Sequence, residues 1–246
     1  MRVQLLGTAG YHPNETRQTS CLFLPEVGVV LDAGTGLFRL REKLSTESLD
    51  IFLTHVHLDH VVGLTYLFDV LVERPLARVT VHAAVEKLAA IQSHLLSEHL
   101  FPVALPCDYA PLTGPVTLKG DGILRAFPLI HPGGSLGFRL DWPGHSLAYI
   151  TDTTADPAAD YVREIDGVDL LLHECNFADG FEQQARLTGH STLSSVARVA
   201  AAANVSRCVL VHLNPLDHPA GRLDLDAARR IFPALSIGTD GQEVEF

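Results

Sequence analysis

The sequence THVHLDH, at residues 54–60, decides the fold of this chain. The apolar residues immediately before it are typical of a buried strand. His55 and His57 are two positions apart, so on an extended backbone both side chains point to the same side and can bind one metal ion. Asp59 and His60 follow after a turn and can face a neighbouring ion. Three histidines and an aspartate at such close spacing predict a metal site.

Four further polar residues each come at the end of an apolar strand: His131, Asp152, Glu174 and His212. Loops at strand ends on a rigid sheet are where catalytic groups collect. Neutral imidazole nitrogens and carboxylate oxygens suit Zn²⁺, with Mn²⁺ or Fe as alternatives. Together with the histidine run, these residues can complete two coordination shells.

The length of 246 residues predicts a single domain over residues 1–246, since domains usually run from about 50 to 250 residues. The 47% of hydrophobic residues can form a substantial core. The formal net charge of -11 argues against a broad nucleic-acid surface, although two divalent ions would invert the local field. No apolar run reaches the roughly 18 residues of a membrane span. The four cysteines are scattered without a CxxC pair, which predicts a reduced, cytoplasmic protein.

Periodicity divides the chain into two successive strand-rich halves, each closed by helices. This pattern indicates an α/β sandwich, with two central sheets covered by helices on the outside. The predicted strands are 2–6, 19–24, 27–31, 49–54, 78–82, 116–118, 123–129, 137–140, 146–150, 168–172, 208–211 and 243–246. The predicted helices are 37–44, 61–72, 83–99, 193–203 and 224–231.

The motifs along nearly the whole chain resemble those of the metallo-β-lactamase fold superfamily and, within it, the ribonuclease Z-like phosphodiesterases. The resemblance implies a four-layer αββα sandwich of two mixed β-sheets flanked by helices. The histidine run is specific to the superfamily, whereas HEC followed by GHST is more specific to the ribonuclease Z-like branch. The motifs are LGT at 6–8, PNETR at 13–17, LDAG at 31–34, THVHLDH at 54–60, YITDT at 149–153, HEC at 173–175, GHST at 189–192, VH at 211–212 and GTDG at 238–241.

The resemblance also implies a ligand set for two zinc ions per chain. One ion would have three histidines, the second would have two histidines and an aspartate, and one aspartate would bridge both. In that order, the residues are His55, His57 and His131 for the first ion, His60, His212 and Asp59 for the second, and Asp152 for the bridge. The resemblance further implies that Asp32 hydrogen-bonds one of the histidine ligands, as the residue at the similar position does across the superfamily.

Two metal ions about 3.5–4 Å apart can share a bridging water and turn it into a hydroxide nucleophile near neutral pH. The leaving alkoxide then needs a proton, and His190 is the candidate donor, with Glu174 as the carboxylate that orients it. Asp59 is a candidate catalytic residue as well as a candidate metal ligand. Alternatively, GHST opens the helix that follows, with Ser191 or Thr192 as its cap, and the two interpretations are compatible.

The chain departs from ribonuclease Z between the third histidine and the bridging aspartate, where that enzyme carries a long tRNA-gripping arm. Residues 132–151 already have to provide two strands and a turn, so an arm cannot fit. We therefore expect a small or nucleotide-derived phosphodiester as substrate and neither a large RNA nor a membrane as partner, and a homodimer is possible. The alternatives are a tRNA 3′-processing ribonuclease Z, a lactone or thioester hydrolase, and a metal-binding factor without turnover.

Overall fold

The computed structural model describes residues 1–216 and 222–246. His218, for which the sequence suggests no partner, lies outside the described residues. The strands in the described residues are β1 (Arg2–Gly7), β2 (Cys21–Leu24), β3 (Val29–Leu31), β4 (Ser48–Phe52), β5 (Arg78–Ala83), β6 (Asp108–Pro111), β7 (Val116–Leu118), β8 (Gly122–Leu129), β9 (Ser135–Trp142), β10 (His145–Ile150), β11 (Leu170–Glu174), β12 (Cys208–Val211), β13 (Leu235–Ile237) and β14 (Glu243–Glu245).

The helices are mostly short. Two 3₁₀ helices, Thr35–Leu40 and Val62–Tyr66, and a π-helical turn, Ile91–Leu95, accompany them. The α-helices are α1 (Leu58–Val61), α2 (Leu67–Leu71), α3 (Val85–Ala90), α4 (Tyr161–Glu164), α5 (Glu182–Thr188), α6 (Leu193–Ala202) and α7 (Leu225–Ile231).

The first of two compact units comprises residues 1–114 and 239–245. It contains a seven-stranded sheet in the order β14-β1-β2-β3-β4-β5-β6. The strands from β14 to β3 pair antiparallel, whereas those from β3 to β6 pair parallel. The carboxyl ends of the parallel strands therefore lie along one edge, the place where sheets of this kind bind ligands.

The second unit comprises residues 115–238 and Phe246. Its seven-stranded sheet has the order β13-β12-β11-β10-β9-β8-β7. The strands from β7 to β10 pair antiparallel, and those from β10 to β13 pair parallel. The second sheet therefore also has a run of parallel strands whose carboxyl ends can carry functional groups.

Each sheet buries one apolar face under helices. In the first unit, Ile51 of β4 and Leu67 of α2 belong to one apolar core. In the second unit, Leu210 of β12 shares a core with Leu193 and Val196 of α6. The buried positions of α6 recur every three or four residues, so the helix presents one apolar face, and each large side chain there contributes about 1.5–3 kcal/mol by burial.

The prediction of two mixed sheets flanked by helices is confirmed. The elements β6, β13, α4 and α5 were not predicted, and α1 begins three residues before the helix predicted over 61–72. The helix predicted over 83–99 is shorter than expected, because α3 ends at Ala90 and the chain continues as the π-helical turn. The single domain over residues 1–246 stays a prediction, and the two units are described separately.

Among the described residues, no helix combines the length and the apolar character needed to cross a membrane. All four cysteines are free thiols, as their scattered positions predicted.

Candidate metal centre

In the first unit, Asp32 organises the histidine run. It follows β3 directly, has a left-handed backbone (φ 57°), and is fully buried. Its Oδ1 accepts a hydrogen bond from the Thr54 backbone N–H (2.8 Å), and its Oδ2 accepts one from Nδ1 of His60 (2.8 Å). The expected hydrogen bond from a histidine of the run to Asp32 is therefore present. Because Nδ1 of His60 carries the proton, its Nε2 keeps the lone pair that a metal needs.

The same carboxylate acts on His55 through Thr54. The Thr54 hydroxyl donates to Asp32 (2.9 Å) and lies 3.1 Å from Nδ1 of His55, which can donate to it. The rings of His55 and His57 are 4.5 Å apart between centroids, and their ligand atoms lie within 4.8 Å of each other. The prediction that these two histidines point to the same side is confirmed.

Asp59 lies in the first turn of α1, beside His60. Its Oδ2 is 3.4 Å from Nε2 of His60 and accepts a hydrogen bond from the backbone N–H of Tyr11 (2.8 Å). The close approach of the run to the end of β3 needs a glycine, because a Cβ at Gly34 would lie 2.2 Å from the carbonyl oxygen of Asp59. The LDAG motif therefore has a local packing reason.

In the second unit, Asp152 lies between two histidines. Its Oδ2 is 3.4 Å from Nε2 of His131, and its Oδ1 is 3.3 Å from Nε2 of His212. The two carboxylate oxygens thus face different imidazoles, as they would in a carboxylate that bridges two ions. Thr151 holds the group by donating its hydroxyl proton to Oδ1 (2.6 Å).

The backbone conformation orients the side chains of this group. Asp152 follows β10 and His212 follows β12, and both have left-handed φ angles, of 50° and 49°. Such values are uncommon outside glycine, and they collect at functional sites where the surrounding structure supports them. His131 lies in the β8–β9 turn and donates Nδ1–H to the carbonyl oxygen of Gly189 (3.0 Å), which leaves its Nε2 for a ligand.

Glu174, at the end of β11, connects this group to His190. Nδ1 of His190 donates to Oε1 of Glu174 (3.0 Å), and the Glu174 carboxylate is fully buried. The carboxylate also accepts backbone hydrogen bonds from Thr153 (2.8 Å) and Ser191 (3.2 Å). Thr192 caps α6 with a capping box, so the GHST segment both opens the helix and fixes His190, as the sequence allowed.

Behind Glu174 lies a buried pair that the sequence did not predict. The Tyr161 hydroxyl is 3.2 Å from Nε2 of His173, and Nδ1 of His173 donates to the backbone carbonyl oxygen of Glu174 (2.8 Å). Burial lowers the pKa of His173 and raises the pKa of Tyr161, so both remain neutral near pH 7. The pair packs behind the site and fixes the backbone at Glu174.

The donor sets of both units fit a metal such as zinc. They consist of imidazole nitrogens and carboxylate oxygens, and the partner of each Nδ1 fixes the tautomer of His60, His131 and His190. In the second unit, Asp152, His190 and His212 offer ligand atoms within 4.8 Å of one another. Cys175 is not counted in this set, because its thiol donates to the carbonyl oxygen of Phe177 (3.6 Å).

Comparison with known proteins agrees with these features. A model of the beta-lactamase superfamily domain matches residues 28–213. A ribonuclease Z from Gemmatimonas aurantiaca is 27% identical over 304 aligned positions, covering 99% of this chain and 95% of that protein. The structure of the short form of human tRNase Z has a TM-score of 0.76 at 23% identity, covering 100% of this chain and 99% of that chain. A diphosphatase from the PhnP family has a TM-score of 0.74 at 18% identity, with coverage of 100% and 97%.

Proposed function

The chain belongs to the beta-lactamase superfamily, and from this premise we propose that it is a dinuclear metal-dependent phosphodiesterase acting on a small or nucleotide-derived diester. The observation that carries the proposal is the hydrogen bond from His190 to Glu174 (3.0 Å) in a group where Asp152, His190 and His212 offer ligand atoms within 4.8 Å of one another. A carboxylate-held histidine beside a bridging carboxylate suits proton transfer to a leaving oxygen.

We assign seven residues to two metal ions, with zinc as the first choice. The support is the donor chemistry and the way Asp152 turns one oxygen to each of two histidines. When bound, the ions would activate a water nucleophile and stabilise charge on the phosphoryl oxygens. The proposed ligands are His55, His57 and His131 for one ion, Asp59, His60 and His212 for the other, and Asp152 for both.

In this proposal His190 donates the proton that the leaving oxygen needs, and Glu174 orients His190. Glu174 holds Nδ1–H of His190, so the proton that reaches the leaving oxygen comes from Nε2. The side chain of His190 is 16% exposed, which leaves it open to a ligand although its partner is fully buried. A carbonyl substrate with a good leaving group would have less need of this pair, so the pair favours a phosphodiester over a lactone or thioester.

The connection between His131 and Asp152 supports a small substrate. Residues 132–151 are taken up by β9, β10 and the tight turns beside them. The aligned ribonuclease Z spans 304 positions against 246 residues here, so at least 58 of its positions have no counterpart in this chain. With a net charge of -11, the chain offers little surface for a long RNA.

The second candidate is ribonuclease Z activity on tRNA. It is favoured by the names of the relatives, of which the first matches over 99% of this chain and 95% of its own length. The two candidates share the metals and the proton donor and differ in how much of the substrate the protein holds.

The test is a panel of chromogenic phosphodiester, phosphomonoester, lactone and β-lactam substrates, assayed with zinc-loaded protein whose metal content has been measured. We expect the phosphodiester to be cleaved with the highest kcat/KM. Faster cleavage of the lactone or β-lactam would contradict the proposal. Two bound ions without turnover of any substrate would instead indicate a metal-binding factor.

A further inference from the structure

Two aromatic side chains lie beside His190 in the second unit. The ring of Phe177 is 6.4 Å from the imidazole of His190 between centroids. The ring of Phe181 lies 6.4 Å further on and is inclined by 27° to that of Phe177, in a stacked arrangement. Both residues are partly exposed, and the apolar core of the unit, as far as the structure describes it, includes neither of them. Packing of the core therefore does not account for this pair.

The backbone of Phe177 is fixed to the segment that carries His190. Its N–H donates to the carbonyl oxygen of Ser191 (3.1 Å), and its carbonyl oxygen accepts from the N–H of Leu193 (3.1 Å). The main chain of Phe177 thus keeps a set position relative to the segment that carries His190. A rigid aromatic side chain loses little conformational entropy when a ligand binds to it.

The surrounding segments add apolar surface. Ile130, directly before His131, is 84% exposed, and Leu187, at the end of α5, is 82% exposed. Phe181 precedes α5 directly. These side chains leave apolar surface on the chain segments that carry His131 and His190.

We propose that the leaving half of the substrate carries a nucleobase. The ring of Phe177, with that of Phe181 behind it, binds this base by stacking. The inference rests on the proposed function, because His190 protonates the leaving oxygen and the group attached to that oxygen must lie next to it. In that step, the oxygen of a water molecule bonds to phosphorus and the bond from phosphorus to the leaving oxygen breaks. The leaving oxygen takes the proton from Nε2 of His190, which starts with a proton on both ring nitrogens, and the proton that the water loses passes through solvent and restores His190. Stacking tolerates any base, so the substrate class is a diester with a nucleoside leaving group.

The test uses two diesters that differ in the leaving half alone, adenosine in one and abasic ribose in the other. Both leaving groups are sugar hydroxyls of matched acidity, so the ratio of their kcat/KM values reports the base. We expect zinc-loaded wild-type protein to prefer the adenosine diester by about tenfold or more. Phe177→Leu should bring the ratio close to one, because the adenosine diester loses more than the abasic diester, and Phe177→Tyr should keep the preference. Phe101→Leu, at a half-buried ring of the first unit, is the control and should leave the ratio unchanged.

An unchanged ratio in Phe177→Leu, or an equal loss on both diesters, overturns the stacking role. Failure of wild-type protein to cleave either diester is a failure of the proposed function, and binding then decides about the stacking separately. For this, methylene-bridged analogues of the two diesters are titrated by calorimetry. Tighter binding of the base-bearing analogue in wild-type protein, lost in Phe177→Leu, supports the stacking, and equal affinities in wild-type protein overturn it.

Discussion

Nδ1 of His190 lies 3.0 Å from Oε1 of Glu174, a carboxylate with no exposed surface. The same carboxylate accepts backbone hydrogen bonds from residues after β10, after β11 and before α6. Three loops of the second unit are therefore tied to the one group that orients the imidazole. A buried carboxylate that accepts this many hydrogen bonds is held firmly in place. Its hydrogen bond with Nδ1 therefore restricts the orientation of the His190 imidazole.

Replacing His190 should separate proton donation from metal binding. We expect His190→Ala to keep its metal ions but to lose about 10²–10⁴-fold in phosphodiesterase rate, the usual contribution of a positioned general acid. The loss should shrink for a nitrophenyl diester, whose leaving group needs little protonation. The measurement is kcat for nitrophenyl and alkyl diesters, with the metal content determined in parallel. An equal loss for both leaving groups would show that His190 positions the substrate.

Replacing Gly189 should move His131. A Cβ at this position would lie 2.8 Å from Nδ1 of His131 and 2.6 Å from Cδ of Pro132, on a backbone with φ of 74°. Because its carbonyl oxygen holds His131, we expect Gly189→Ala to lower metal affinity about 10–100-fold. Competition with a chromogenic chelator measures the affinity.

The matched control is Gly144→Ala, which has a similar φ of 79° but no described atom within 4 Å of the added Cβ. Gly144→Ala should lower the free energy of unfolding by about 1–3 kcal/mol, because of the strained backbone, and should leave the metal affinity unchanged. Equal metal affinities in the two variants would contradict the role given to Gly189.

Removing the carboxylate of Asp152 should affect both proposed ions. We expect about two transition-metal ions per wild-type chain after reconstitution and fewer in Asp152→Ala, with activity falling in parallel. The reason is that Asp152 turns one oxygen to Nε2 of His131 and the other to Nε2 of His212. Elemental analysis of both proteins tests the prediction, and one ion in well-reconstituted wild-type protein would exclude the dinuclear assignment.

Asp50 predicts a pH dependence of stability in the first unit. Burial raises the pKa of this carboxyl, but hydrogen bonds from His82 (2.9 Å) and Arg78 (2.7 Å) outweigh it and bring the pKa to about 2, from an ordinary 3.8. A pKa lowered on folding stabilises the protein above about pH 4, and this contribution is lost as the pH falls towards 2.

We therefore expect Asp50→Asn to lower the free energy of unfolding by about 1–2 kcal/mol at pH 7 and by progressively less below pH 4. Urea unfolding of variant and wild type at each pH, under the same metal conditions, gives the difference. Asp121→Asn, at an exposed turn, is the control and should stay within about 0.5 kcal/mol at every pH. A difference for Asp50→Asn that does not change with pH would contradict the ionic origin of the effect.

The strands and the residues at their ends could be predicted from the sequence because both signals are local. An apolar run followed by His55 and His57 sets both the strand and the direction of the two side chains. The helix α6 shows the same consistency, since Thr192 caps an apolar pattern of helical period. Where capping, periodicity and chemistry agree within a few positions, long-range contacts are not needed for the prediction.

The elements that were missed lack that agreement. In α5, Ala185 is the buried residue of a largely polar segment, so no apolar period marks the helix. β6 contains an aspartate and a proline, which are disfavoured in strands, and β13 has three residues. The contact of His131 with Gly189 joins positions 58 residues apart, and no local pattern encodes it. The left-handed backbone at Asp152 and His212 likewise depends on tertiary support.

The choice between a small diester and tRNA comes down to phosphate contacts. A tRNA has to be held by many of them, and each needs a cation on the protein. This chain has 18 Lys and Arg residues against 29 Asp and Glu residues, and residues 132–151 are taken up by β9, β10 and the turns beside them. We expect kcat/KM for a small nucleotide diester to exceed that for precursor tRNA at moderate salt. Since few phosphates are engaged, the rate on the diester should change little between about 50 and 200 mM salt. Efficient 3′ cleavage of the tRNA at the correct position, with a steep loss on adding salt, would show that the protein holds a long RNA and would make ribonuclease Z its function.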